Sequence, residues 1–188
     1  MQKTTRILGN KVAALTPEYI RENASSIRGA CSSLVPCIGN KLDVLRLIEK
    51  LHNHEFLTFE IVETEEMPGE YAVTIPSQKK IIVRQDTYVS ALKGESRGRF
   101  TLAHELGHFF LHANTVPQYA YSQVASNHSY LEDVEWQANE FAAWLLVDEG
   151  DEKGTATPRS ISTTFGVSME TASIVWKKLK GQKPKNDL

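Results

Sequence analysis

Only two of the 188 residues are cysteine, Cys31 and Cys37, and nowhere does the chain run through 18 consecutive apolar residues. The two cysteines are separated by five residues and lack paired Cys-x-x-Cys spacing, which excludes a disulfide framework and a cysteine-rich structural zinc site. They are expected as free thiols that pack like small apolar groups. The missing apolar run excludes a membrane-spanning helix. An excess of one charge is missing too. With 21 basic against 23 acidic groups the net charge is −2, so no global attraction draws the chain to nucleic-acid phosphates or an anionic membrane. The stretch Met1–Lys11 scatters Lys3, Arg6 and Lys11 among too few apolar residues for an export signal, so a cytoplasmic location is expected. Length and a 41% hydrophobic content suit one globular domain, or one with a small appendage.

What is present is concentrated in Thr101-Leu102-Ala103-His104-Glu105-Leu106-Gly107-His108, which contains His-Glu-x-x-His. Residues four apart on an α-helix share a face and lie about 6 Å apart along its axis, so His104 and His108 can aim both imidazoles at one ion. Glu105, offset by one position, is placed to act as a general base on a water at that ion, which is the chemistry of amide hydrolysis. The flanks Phe100–Ala103 and Phe109–Leu111 are apolar, as expected of a buried helix. Gly107 costs such a helix roughly 1 kcal/mol relative to Ala, which suggests that another element passes close by at that point.

A catalytic zinc site needs a third protein ligand and one open position. The metzincin continuation is excluded, because its Gly and His places hold Leu111 and Asn114. His112 continues the four-residue ladder but is rotated away from His104, so a supporting or packing role is expected for it. The better ligand is Glu135. It borders an apolar stripe of Val134, Ala138, Phe141, Ala142 and Leu145 at helical spacing, on a face whose small residues allow close approach to the His-Glu-x-x-His helix. Asn139, one turn on, could orient a ligand by a hydrogen bond. Glu132, Asp133 and Glu140 are expected on solvated helix faces.

Taken together, Arg99-Phe100-Thr101-Leu102-Ala103-His104-Glu105-Leu106-Gly107-His108 and Glu135-x-x-Ala138-Asn139-x-Phe141-Ala142-Ala143-x-Leu145-Leu146 resemble the ImmA/IrrE family of zinc-dependent metallopeptidases. The resemblance spans residues 99–146 and departs from the family after Leu146, where Val147-Asp148-Glu149-Gly150 stands in place of the usual proline. It implies metal ligands at His104, His108 and Glu135 and a catalytic glutamate at Glu105. It also implies one catalytic Zn²⁺, with Mn²⁺ or another divalent ion as an alternative. The implied protein substrate is a helix-turn-helix repressor encoded nearby, whose cleavage or inactivation releases phage, mobile-element or stress genes. A transition-state donor is expected from the intervening segment, where Tyr119, Tyr121, His128 and Tyr130 are the open choices.

The rest of the chain reads as an α+β, zincin-like arrangement. Thr16 and Pro17 start a helix to about residue 28, and a second helix covers about 41–52 with His52 and His54 at its end. Residues 56–62, 71–75 and 79–84 are rich in aromatic and β-branched side chains and predict a small, mainly antiparallel sheet, one of whose edges could hold an extended peptide. Beyond a charged loop at 148–154, Thr157-Pro158 and Phe165-Gly166-Val167-Ser168 mark a helical pair with helix-turn-helix form. Direct DNA reading is the weaker account of that pair, because the second helix starts with Met169, Glu170, Thr171 and Ser173 and lacks Arg, Asn or Gln for base edges. Lys177, Lys178, Lys180, Lys183 and Lys185 are expected as a solvated helix end and tail. The expected divisions are a helical segment (1–40), a metallopeptidase core (41–155) and a C-terminal helical segment with a basic tail (156–188). Two other functional classes compete with the peptidase: a non-proteolytic anti-repressor that only binds its partner, and a DNA-binding regulator.

Overall fold

The computed structural model describes residues 10–35, 37–113 and 128–181. Tyr119 and Tyr121, two of the four candidate donors, lie outside them, as do Lys183 and Lys185 of the basic tail.

Five of the helices begin at a side chain that satisfies one of their first free amides. Thr16 caps α1 (Pro17–Ser32) by accepting from the Tyr19 amide, and Pro17 occupies the first position, where no donor is lost. Ile20, Ala24, Arg28 and Cys31 then form its buried face. Asp43 caps α2 (Val44–Asn53), whose Val44, Leu45, Leu47, Ile48 and Leu51 are buried. After α2 the period changes to that of strands: β1 (Thr58–Val62), β2 (Ala72–Ile75) and β3 (Lys80–Arg84).

The strand order is β1-β3-β2. β3 pairs antiparallel with β2, Val73 facing Ile82, and parallel with β1, Phe59 facing Ile81. The sheet is therefore mixed rather than mainly antiparallel, because the last strand inserts between the first two instead of extending a meander. Ile81 and Val83 on this central strand are fully buried, and β2 is left as an edge.

A short helix that the sequence patterning did not disclose, α3 (Gln85–Leu92), leads into α4 (Ser96–His112). The two cross very closely. A Cβ at Gly98 would lie 2.8 Å from the Ser90 carbonyl carbon, so only glycine fits there. α5 (Val134–Leu146) has ten of its thirteen residues buried, Trp136, Phe141, Trp144 and Leu145 among them, and so has no broad solvated face. It packs on α1 and on α4. Against α4 the approach is again backbone to backbone: a Cβ on Gly107 would meet the Ala138 carbonyl oxygen at 2.9 Å and its Cα at 3.0 Å. That is the neighbour whose presence Gly107 suggested.

The expectation for the acidic residues flanking Glu135 is corrected by this burial. Asp133 is not solvated but caps α5, its Oδ1 accepting from the Trp136 amide at 2.7 Å. Glu140 is buried where α7 covers it, accepting from the Trp144 indole N–H at 2.7 Å and paired with Lys178, which is thereby withdrawn from the solvated tail. Glu132 precedes α5 in a short 3₁₀ turn, where it accepts from the Ser129 amide and pairs with Lys11 at 3.1 Å.

The C-terminal pair forms as the residues indicate. α6 (Pro158–Phe165) is capped by Thr157 and closed by Gly166 at φ 66°, and Ser168 caps α7 (Met169–Leu179). Among the described residues, no helix is long and apolar enough to cross a membrane.

Candidate metal centre

α4 and α5 meet so that His104, His108 and Glu135 converge. His104 Nε2 lies 2.9 Å from His108 Nε2 and 3.2 Å from Glu135 Oε2, while His108 Nε2 lies 3.6 Å from Glu135 Oε1. One donor atom from each of the three residues falls within 4.8 Å of the others, a grouping able to hold a metal ion. Two imidazoles and a carboxylate are the donor types that zinc takes, and three protein ligands leave a position open. The three residues line a cleft of about 300 Å³ together with other residues of α4, with Ala72, Val73 and Thr74 of β2, and with Asn10 and Val12 ahead of α1.

The charges of the site favour a cation between these groups. Hydrogen bonds from His104 and His108 hold the Glu135 carboxyl far below the usual carboxylate range despite its partial burial. Burial pulls His104 down, but its hydrogen bond to Glu135 and the negative charges of Glu105 and Glu135 outweigh this and raise it above its ordinary value.

Glu105 lies beside the trio with only 5% of its surface exposed, on the cleft wall. Its Oε2 accepts from the Thr74 hydroxyl at 2.6 Å, and its backbone carbonyl lies 3.0 Å from the same oxygen. Sequence reasoning missed Thr74, which is 31 positions away and joins the site only through the docking of β2 on α4. Asn139 stands where the helical spacing placed it, its Oδ1 2.9 Å from His104 Nδ1. His112 lies behind His108 and is not one of the trio. Its Nδ1 is 3.2 Å from His108 Nδ1 and its Nε2 is 3.0 Å from Gln137 Oε1, a contact with no clear sequence signal. Burial pushes His112 down to about 4, so it is neutral at physiological pH.

The two described candidates for a transition-state donor do not line the cleft. Tyr130 packs edge-on against Trp136 with ring centroids 4.8 Å apart, and His128 lies 3.7 Å from Asp133. Cys31 is buried and Cys37 partly so, both as free thiols, and neither lines the cleft.

Comparison with known proteins finds the same region. Residues 65–177 match the family model Peptidase M78, the IrrE N-terminal-like domain. No curated protein gives a significant match. Among solved structures, a Mycobacterium tuberculosis transcriptional regulator has a similar fold, with a TM-score of 0.51 and 16% sequence identity over 81% of this chain. The chain spans 45% of that protein. Its α+β architecture, the convergence on α4 and α5, and the match across 65–177 agree, and the chain belongs to the Peptidase M78 family of IrrE N-terminal-like domains.

Proposed function

We propose that the chain is a zinc-dependent endopeptidase of the cytoplasm that cleaves, and thereby inactivates, a helix-turn-helix transcriptional repressor. The observation that carries this reading is the convergence of His104, His108 and Glu135 beside Glu105 at the floor of an open cleft. A divalent ion held by those three residues would supply a Lewis acid that polarises a carbonyl and acidifies water. Glu105 would take the proton of the attacking water and return it to the departing amine. Its hydrogen bond from Thr74 keeps the carboxylate directed into the cleft. β2 is an edge strand on the cleft wall, which suits an extended substrate segment held by backbone pairing. The likeness in fold to a transcriptional regulator supports a place in gene control.

The DNA-binding alternative gains little from α6 and α7. At the start of α7, Thr171 is buried and the Ser173 hydroxyl donates to the Met169 carbonyl, leaving Met169 and the acidic Glu170 at the surface. A carboxylate repels phosphate, so docking a protein suits this end of the pair better.

The test is Glu105→Gln. Metal content should be unchanged while cleavage of a co-expressed repressor falls by about 10² or more, as loss of a general base does. Full cleavage by that variant would refute the peptidase mechanism. Relief of repression with the repressor left intact would favour the binding-only anti-repressor.

A further inference from the structure

Acidic groups outnumber basic ones along the chain, yet one groove on its surface reverses the balance. It encloses about 600 Å³ between the start of α2 and the end of α3, away from the cleft beside Glu105. Its lips are Ile38 and Leu92, which at 72% and 65% are the most exposed large apolar side chains among the described residues. Its floor includes the buried Leu42, Leu45 and Ala91. Single exposed apolar side chains are ordinary on a protein surface, but two that line one apolar groove mark a contact surface. Four cations border the same groove, Lys41, Arg46, Lys93 and Arg99, against two carboxylates, Asp43 and Glu49. Both carboxylates are already engaged: Asp43 Oδ1 accepts from the Arg46 amide at 3.0 Å as the cap of α2, and Glu49 accepts from the Tyr88 hydroxyl at 3.5 Å. Arg99 is buried and donates to the carbonyls of Leu42 and Phe165 at 3.0 and 2.8 Å. Lys41, Arg46 and Lys93 are exposed, and among the described residues none of the three is in an ion pair.

We propose that this groove docks a partner protein through an amphipathic helix whose apolar side chains enter between Ile38 and Leu92 and whose flanks are acidic. None of the lining residues lies on a strand, so pairing with a sheet edge is excluded and a helix laid in a groove is the fitting mode, with anchors one turn apart. Acidic flanks follow from charge: the three unpaired cations at the rim favour carboxylates, which steer the approach and set the orientation. Nucleic acid is a poorer match, because phosphates offer nothing to the apolar lips and are repelled by Asp43 and Glu49. A second copy packed by two-fold symmetry is poorer too, since the same surplus of cations would face itself. Arg99 lies five positions before His104 on α4, so the partner would sit against the helix that carries His104 and His108. The inference stands apart from the peptidase reading, and no part of it needs a metal.

The experiment presents the full chain with a displayed library of helical peptides of about 16 residues, each with a fixed leucine stripe and flanking positions randomised among Glu, Gln and Lys. Selected peptides should be enriched in Glu, and their affinity, read by fluorescence anisotropy, should fall as salt rises. The triple variant Lys41→Glu, Arg46→Glu, Lys93→Glu should bind them about tenfold or more weakly and select Lys in their place. Leu92→Ser should lose about tenfold with its circular dichroism unchanged. Selection of Lys by the wild type, no enrichment at all, or affinities that ignore both variants would overturn the proposal. So would preferential capture of a DNA duplex that the triple variant releases, or a dimer in sedimentation that Leu92→Ser dissolves. Should the triple variant fail to fold, Arg46→Gln and Ile38→Ser read the same contacts one at a time, and wild-type affinity in both would be equally decisive against it.

Discussion

On the α5 side of the cleft, both ring nitrogens of His104, His108 and His112 meet partners: Asn139, Gln137, Glu135 or one another. On the β2 side, the Thr74 hydroxyl reaches across to Glu105 from an edge strand. The first wall is made by two helices in backbone contact at Gly107 and Ala138, so the positions of His104, His108 and Glu135 are fixed by the same packing that fixes the core. The second is made by a strand with one free edge, which leaves room for a substrate segment. On the proposed function, the three residues that would hold an ion lie on α4 and α5, while β2 only supports the base Glu105 from across the cleft and offers an edge to the substrate. Changes on the α5 side should show in metal binding, and changes on the β2 side in turnover.

The strongest way to break that division is to remove a ligand. His104→Ala or His108→Ala should abolish tight metal binding, measured as metal content after dialysis, with cleavage lost in parallel. Wild-type metal content in either variant would contradict the assignment. Acid acts on the same wall through His112. Its ring is held near 4 in the folded protein against about 6.5 in an unfolded chain, so as pH falls from 6.5 to 4 the unfolded state binds the extra proton and stability drops. The loss should approach about 3 kcal/mol in the metal-free protein. His104 is raised and so acts above this window, while Glu135 is lowered and acts below the ordinary carboxylate range. Denaturant melts across that range, compared with His112→Phe, isolate the contribution.

Gly107→Ala tests the helix contact itself. The added methyl would press on Ala138 backbone atoms at 2.9 and 3.0 Å, which cannot yield as a side-chain tip would. A destabilisation of about 1–3 kcal/mol is expected even though Ala is the better helix former, and thermal unfolding reads it. The smallest effect is expected on the other wall. Thr74→Val keeps the shape, deletes the donor to Glu105, and should lower turnover by about tenfold with metal affinity unchanged. A loss of metal in that variant would merge the two walls into one.

Much of the α5 wall was legible in sequence, because its chemistry lies on two helices and the helical repeat places His104, His108, Glu135 and Asn139 by counting. Gly107 was legible for a related reason: a helix-weakening residue in an apolar helix points to a close neighbour. What could not be read depends on contacts distant along the chain. Thr74 meets Glu105 only after β2 docks, and β3 lies between β1 and β2 because tertiary pairing, not chain order, sets the neighbours. Glu140 faces away from the apolar stripe and so read as solvated; the covering helix α7 and Lys178 come from 38 residues further on. Asp133 read the same way because a cap and a surface acid look alike without knowing where the helix begins.

The central claim is that one divalent ion sits where α4 and α5 converge. Crystals of the full chain grown with zinc should give an anomalous peak at the zinc edge within bonding distance of His104 Nε2, His108 Nε2 and a Glu135 oxygen, with Glu105 alongside and not bound. A peak elsewhere, or none among those three groups despite saturating zinc, would contradict it.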